Sequence, residues 1–154
     1  TGLHHSMLPI DLQTVATMGG IYTFPVVALS NIAQATAVMA FVFVTRRDAK
    51  IKEVGIPSFI SGYLGVTEPA MFGVNLKYLY PFIGAMIASG IMGIISRLFG
   101  VIANSVGVGG LPAFLSMRGD KIPVYILCIV IDIVLAFIIT VILSRTKLKD
   151  YGNK

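Results

Sequence analysis

Three apolar segments of membrane-spanning length constrain this chain more than any other feature of its sequence. They cover residues 21–44, 78–96 and 122–144, and at 1.5 Å per residue each can cross about 30 Å of hydrocarbon. Charged residues make up only 12% of the chain, against roughly 25% in an average soluble domain. The sequence therefore predicts an all-α integral membrane protein and excludes an ordinary soluble enzyme.

Positive charge is concentrated in two short clusters that directly follow apolar segments. The first lies in the loop 46–52 and the second in the tail 145–154. Because an excess of lysine and arginine marks cytoplasmic loops, we expect both regions to be cytoplasmic in a multi-pass protein. The clusters contain almost no aromatic residues, so the net charge of +5 does not indicate nucleic-acid binding.

Two further apolar segments, 56–74 and 98–117, are interrupted by helix-breaking residues. The interruptions are Pro57, Gly62, Gly65, Pro69 and Gly73 in the first segment, and Gly100, Gly107, Gly109, Gly110 and Pro112 in the second. Irregular backbone at membrane depth is tolerated only where it is buried in protein or lines a cavity. In transporters, paired interrupted segments point to the substrate site. We therefore predict two re-entrant, hairpin-like segments beside the transmembrane helices.

Two carboxylates lie within apolar surroundings. Glu68 directly precedes Pro69, at a break in the first interrupted segment, where a lone carboxylate is a functional candidate. It can accept hydrogen bonds from sugar hydroxyls, and the structural alternative is a cap for a helix beginning at Pro69. Asp132 lies near the middle of the third span and must face protein or water. For Asp132, structural pairing and a functional role both remain open.

Polar side chains mark one face of the first span. Asn31 and Gln34 are three residues apart and share that face. Because an unpaired amide costs several kcal/mol in hydrocarbon, these side chains should meet another helix or a wet cavity. Contact between helices and contact with a substrate are both open. In the second span, small residues from Gly84 to Gly93 predict close packing against a neighbouring helix.

No group of residues predicts a cofactor or a metal site. His4 and His5 are adjacent in the sequence. On a helix they point about 100° apart and cannot chelate one metal ion as an i, i+4 pair could. The glycines at 107–110 lack the spacing and the preceding strand of a nucleotide-binding loop. Cys128, the single cysteine, lies in an apolar stretch without a basic neighbour, which favours packing over reactivity.

Several stretches carry a resemblance to a known family. Residues 65–75 read GVTEPAMFGVN and resemble the G-[IV]-T-E-P signature of the membrane-embedded IIC domains of the bacterial phosphoenolpyruvate-dependent sugar phosphotransferase system, glucose and glucoside superfamily. Residues 1–5, TGLHH, and residues 24–34, FPVVALSNIAQ, resemble two further stretches of that family. The His-His pair, NLKY at 75–78 and VGVGGLP at 106–112 are most similar to trehalose permeases, with sucrose, maltose, other glucoside and N-acetylmuramate members close behind.

The resemblance implies a homodimeric IIC domain of ten helices in the bacterial inner membrane. Its C-terminal half contains two re-entrant hairpins, holds the sugar and moves against the dimerisation half. The resemblance further implies that residues 1–154 are the C-terminal part of such a domain. The upstream helices would then be absent from this chain.

The matched motifs imply roles for particular residues. His4 and Glu68 would be sugar ligands, and His5, Thr67 and Asn31 are the other candidate sugar contacts. Glu68 would also lie near the sugar oxygen that receives phosphate, which makes it the candidate catalytic residue. The phosphoryl donor would be a cysteine on a partner IIB domain, supplied in turn by IIA. This chain should therefore bind or translocate sugar without phosphorylating it alone.

Two other functions compete with sugar translocation. An ion-coupled secondary transporter would use Glu68 and Asp132 as proton or sodium carriers. A non-transporting membrane fragment or assembly subunit would bind no ligand. Specificity between disaccharides depends on the shape of the pocket, so the sequence favours a trehalose-type glucoside only through the resemblance.

Overall fold

The protein is an assembly of helices without a β-sheet in the part of the chain that the computed structural model describes. That part comprises residues 4–45 and 48–151, with side chains described for residues 9–17, 19–45 and 48–146. The elements in chain order are α1 (His4–Met18), α2 (Thr23–Val44), α3 (Ala49–Tyr63), α4 (Glu68–Ala70), a π turn (Met71–Asn75), α5 (Leu76–Tyr78), α6 (Tyr80–Leu98), two 3-10 turns (Leu111–Ser116 and Gly119–Lys121) and α7 (Ile122–Tyr151).

Three helical segments are long and apolar enough to cross a membrane, which confirms the predicted spans. They are Thr23–Val44, Tyr80–Leu98 and Gly119–Thr146. In an apolar stretch of 18 residues from each span, the buried share is 61% in the first span, 33% in the second and 28% in the third. Because α2 is the most enclosed span, the rest of the fold is arranged around it, and the exposed faces of α6 and α7 are left for lipid or other protein.

Small residues bring the three spans together, as the sequence predicts. Five alanines, two on α2, two on α6 and one on α7, form a shared buried cluster: Ala33, Ala37, Ala85, Ala88 and Ala136. Gly84 faces Thr140 so closely that a Cβ atom would not fit, and Gly93 lies against Val26. These residues let the helix backbones approach each other.

Contacts along the spans fix their relative directions. The Tyr125 hydroxyl donates to the Pro25 carbonyl over 3.2 Å near the start of both helices, and the rings of Phe43 and Phe137 are 5.9 Å apart further along. Helix α7 therefore runs parallel to α2. Helix α6 runs antiparallel, because its C-terminal Gly93 lies near the start of α2 and its first residue, Tyr80, packs on Phe41 near the end.

The first interrupted segment forms a helical hairpin, which we call the first hairpin (residues 49–78). Its outgoing arm, α3, packs antiparallel along α2, with Gly55 against Val42 and Gly62 against Ala35. The chain turns after Tyr63 and returns through α4, the π turn and α5. The returning arm packs on α3, where Gly73 lies near Val54 and Ser58. The predicted re-entrant hairpin is thus confirmed here.

A strained joint separates the first hairpin from α6. Leu79 has φ 63° and ψ −46°, a conformation that side-chain-bearing residues rarely adopt because the Cβ crowds the backbone. Pro81 follows at the start of α6, where its missing N–H leaves no helix hydrogen bond unmade. The joint lets the chain change direction between two helical elements without a longer loop.

The second interrupted segment forms a closed loop instead of a pair of helical arms; we call it the second loop (residues 104–116). Ala103 pairs with both Ile21 and Met117 in short antiparallel bridges. Asn104 N donates to the Ser116 carbonyl over 2.9 Å, so the loop returns to the point from which it leaves. Three glycines between Val106 and Leu111 disfavour a helical arm. The segment is therefore re-entrant, and only its later half is helical, as a 3-10 turn.

Candidate functional site

The tips of the first hairpin and the second loop meet, backbone to backbone. A Cβ atom built on Gly65 would lie 2.8 Å from the Gly109 carbonyl oxygen, and one on Gly110 would lie 2.8 Å from Gly65 N. Gly65 and Gly110 also have φ values of +100° and +69°, which glycine adopts without strain. Only glycine fits these positions, because a side chain would separate the two tips.

The meeting point lies in the middle third of α2. Asn31 is about 12 Å along the 22-residue helix, and its Nδ2 would be 2.6 Å from a Cβ on Gly109. The Tyr63 hydroxyl, at the other tip, is 2.9 Å from Thr36 Oγ1. The second loop departs beside Ile21, ahead of α2, whereas the first hairpin departs beyond its end. The two re-entrant segments therefore enter from opposite ends of α2 and meet near mid-depth.

Thr67 and Glu68 lie directly after the tip of the first hairpin. The turn before them is fixed by Ser61, whose hydroxyl donates to the Val66 carbonyl over 3.0 Å. Thr67 is buried and occupies the N-cap position of α4, although its side chain makes no capping hydrogen bond. Glu68 follows in the first helical turn and is exposed. From the sequence alone, an alternative structural role for Glu68 is to cap the helix that follows it. In the structure, the N-cap position of that helix is occupied by Thr67.

Three of the predicted site residues share this region, and two lie outside the described side chains. Asn31 contacts the second loop, and Thr67 and Glu68 follow the hairpin tip, so all three lie at or beside the meeting point. The backbone of His4 and His5 begins α1, but their side chains are not among those that the structure describes. Their predicted roles as sugar ligands stay predictions.

Two aromatic residues near Glu68 in the sequence, Tyr63 and Phe72, differ in environment. Tyr63 is half-buried, bonded to Thr36 and packed edge-on against Phe59 at a centroid distance of 6.3 Å. Its hydroxyl therefore anchors the hairpin tip to α2. Phe72 is 61% exposed on the returning arm, where its ring face is available to a ligand or to lipid.

Asp132 lies inside the three-helix bundle, within electrostatic range of Tyr125 and of Tyr63 at the tip of the first hairpin. It is fully buried on α7, and neither carboxylate oxygen has a hydrogen-bond partner among the described residues. Its neighbours on the same face of α7 are Cys128 and Ala136, which pack in clusters shared with α2 and α6. The prediction that Asp132 faces protein or water is confirmed, since it faces protein.

Two buried amide residues are in contact in the structure, which the sequence does not predict. Asn75 Nδ2 donates to the Gln34 backbone carbonyl over 3.3 Å, which joins the returning arm to α2. The side-chain oxygens of both residues are buried and accept no hydrogen bond within the described part of the chain. The sequence indicates that Gln34 should meet another helix or a wet cavity, but it does not indicate that Asn75 is the residue it meets.

The described side chains do not form a set of ligands that could bind a metal ion. No group of three or more His, Cys, Asp or Glu residues comes together there. Cys128 is a free, buried thiol, which accords with a packing role.

Comparison with known proteins identifies related membrane components. The family described as "Phosphotransferase system, EIIC" matches residues 1–90. The trehalose-specific EIIBC component of Escherichia coli (strain K12) is 44% identical over 147 residues, which cover 96% of this chain and 31% of the relative. The sucrose-specific EIIBC component of Vibrio alginolyticus is 45% identical over 157 residues, covering 100% of this chain and 33% of the relative.

Further relatives carry the same two sugar names. The trehalose-specific EIIBC component of Bacillus subtilis (strain 168) is 43% identical over 150 residues, which cover 97% of this chain and 32% of the relative. The chain therefore spans about a third of the length of these curated relatives. No solved structure matches the chain significantly.

Proposed function

Because this chain belongs to the EIIC family of the phosphotransferase system, we propose that it forms the C-terminal, sugar-binding part of an EIIC domain. In that role it binds a disaccharide and carries it across the bacterial inner membrane for phosphorylation by a partner IIB domain. The observation that carries the proposal is the meeting of two re-entrant tips near mid-depth, with Asn31, Thr67 and Glu68 beside it. Such a meeting of irregular segments is where transporters bind their substrates.

The names of the relatives support a disaccharide of the trehalose or sucrose type. We favour a trehalose-type glucoside on the motifs at 1–5, 75–78 and 106–112. In the proposed site, His4, His5, Thr67 and Asn31 contact sugar hydroxyls, and Glu68 holds the hydroxyl that accepts phosphate. The partner domains are IIB and IIA, in keeping with relatives named EIIBC and EIIBCA components. The complete EIIC domain forms a homodimer.

Equilibrium binding tests the proposal. In membranes containing the chain together with the rest of its EIIC domain, radiolabelled trehalose should bind saturably and be displaced by excess trehalose or sucrose. Maltose and N-acetylmuramate serve as further competitors. Membranes that lack the protein provide the background. Absence of saturable binding for all four sugars would reject sugar translocation.

A second candidate, an ion-coupled transporter, is favoured by one observation. The carboxylate of Asp132 is fully buried and has no partner among the described residues, an arrangement found where buried carboxylates carry protons or cations. The two functions differ in their energy source. Uptake that stops when phosphoenolpyruvate is removed supports the phosphotransferase role, whereas uptake that persists and collapses with the proton gradient supports ion coupling.

The orientation in the membrane is also a proposal, with the loop 46–52 and the tail 145–154 cytoplasmic. In a Cys128→Ala background, Lys50→Cys and Arg145→Cys should resist an impermeant maleimide in intact cells and react in inverted vesicles. Gly119→Cys, an exposed position at the opposite end of the bundle, should show the reverse pattern. Labelling of Lys50→Cys or Arg145→Cys in intact cells would contradict the orientation.

A further inference from the structure

Gln34 and Asn75, which are in contact across α2 and the returning arm, each carry a buried side-chain oxygen that is an unused acceptor; we refer to the two residues as the amide pair. Gln34 lies on α2, one turn after Asn31, and Asn75 ends the π turn of the returning arm. Asn75 is fully buried, and the two residues are joined by one hydrogen bond from Asn75 Nδ2 to the Gln34 carbonyl. Their side-chain oxygens both lack a donor among the described residues.

Two unused acceptors cannot satisfy each other, because each needs an O–H or N–H group. A buried acceptor without a partner costs about 1 to 3 kcal/mol, whereas an apolar side chain of similar shape at the same place costs little. The cost of these two unsatisfied oxygens would be avoided if leucine or methionine replaced the amide side chains. A ligand that brings hydroxyl groups would offset the cost.

The π turn is what directs Asn75 towards α2. In a regular α-helix, a residue seven positions after Glu68 would lie on nearly the same face as Glu68. The five-residue π turn Met71–Asn75 holds more residues per turn, and it rotates Asn75 away from that face. Such turns inside helices occur frequently at functional sites. The returning arm thus presents a carboxylate and an amide in two directions, about 10 Å apart along its axis.

We propose that Gln34 and Asn75 form a second sugar subsite, in which their side-chain oxygens accept hydrogen bonds from hydroxyls of the sugar ring remote from Glu68. The spacing of about 10 Å along the arm suits two linked rings, with one ring at Glu68 and the other at the amide pair. Because Asn75 is buried in this structure, access of sugar to the pair requires the returning arm to move away from α2. This inference rests on the proposed function and extends it to the position of the second ring.

The subsite is tested by removing single hydroxyl groups from the sugar and, separately, by removing an acceptor oxygen from the protein. The complete protein in membranes is titrated with trehalose and with its 2-, 3-, 4- and 6-monodeoxy analogues, or with the corresponding sucroses if sucrose is the sugar bound. At least one deoxy analogue should bind the parent about tenfold more weakly than the intact sugar. The variant Asn75→Leu should bind the intact sugar about tenfold more weakly and should not distinguish that analogue from it.

Controls separate the subsite from general effects. Asn104→Leu removes an exposed amide in the second loop and should leave all the affinities at the parental values. If Asn75→Leu does not fold, the same measurements with Gln34→Met decide the matter. Thermal stability without sugar should be unchanged or higher in Gln34→Met, which removes an unsatisfied acceptor and keeps the hydrogen bond from Asn75 to the Gln34 carbonyl.

Two outcomes would overturn the inference. Parental affinity in a folded Asn75→Leu or Gln34→Met variant would mean that the acceptors take only a buried water. Equal losses on hydroxyl deletion in the parent and in the variant would place the second ring elsewhere. A parent that binds no sugar would instead reject the proposed function itself, so the two failures are distinguishable.

Discussion

Replacing Glu68 with glutamine should lower sugar phosphorylation at saturating sugar by about 10² to 10⁴, the range for loss of a general base. Glutamine keeps the size and one acceptor oxygen of glutamate but loses the negative charge. It can still hold a sugar hydroxyl, although more weakly, but it cannot draw off the proton as phosphate arrives. The measurement is the initial rate of phosphorylation by purified phosphorylated IIB domain, with the complete protein in membranes.

Two further variants give this experiment its reference points. Glu53→Gln makes the same chemical change at an exposed position in α3 and should leave the rate unchanged. Glu68→Asp keeps the charge with a shorter reach, so it should also be slow, with a milder defect in binding. If Glu68 served only the start of α4, glutamine would cost about 1 kcal/mol of stability and leave saturated turnover intact. A parental rate for Glu68→Gln would thus reject the catalytic role.

Replacing Gly110 with alanine should reduce sugar binding and uptake by at least about 100-fold. Gly110 has φ 69° and ψ −149°, a region that only glycine occupies readily, and forcing another residue into it costs about 1 to 3 kcal/mol. The new Cβ would also lie 2.8 Å from Gly65 N and against the Tyr63 carbonyl. Both neighbours are backbone atoms, so the two tips must separate to admit the methyl group.

Gly90→Ala is the matched control for this change. Gly90 lies within α6 and has no atom within 4 Å of a Cβ built on it. Alanine there should leave uptake unchanged and raise stability by up to about 1 kcal/mol, because alanine is the better helix former. Both variants are compared by uptake, by equilibrium binding and by the amount of protein in the membrane. Parental uptake by Gly110→Ala would mean that contact between the tips is not required.

Hydropathy was sufficient to predict the spans, because lipid imposes a simple requirement of length and apolar character. Each end of the first and second spans lies within two residues of its expected position, and the third, Gly119–Thr146, extends two or three residues further at each end. The density of glycine and proline also predicted both re-entrant segments. The sequence did not reveal that one would be a helical hairpin and the other a closed loop, since that depends on the pairing of Ala103 with two distant residues.

The sequence predicts only those residues of the candidate site whose side chains differ chemically from their neighbours in the chain. Glu68 was evident as a carboxylate in an apolar segment, and the structure places it beside the meeting of the tips. The contact of Gly65 with Gly109 and Gly110 could not be predicted, because glycine density does not say which glycines face each other. The position of Asn75 cannot be predicted for a different reason. Counting helical positions from Glu68 gives the wrong face once a π turn intervenes.

The closed base of the second loop dictates an order of assembly during synthesis. Its bridges join Ala103 to Ile21, and the nearby bond from Tyr125 to Pro25 spans 100 residues of chain. The first hairpin joins arms that are neighbours in sequence, so it can form while the ribosome is still making α6 and α7. Contacts between distant residues form later. The junction of the two tips can therefore form only after the second loop has been made, and nascent chains that end before residue 104 carry a first hairpin whose glycine tip has no partner.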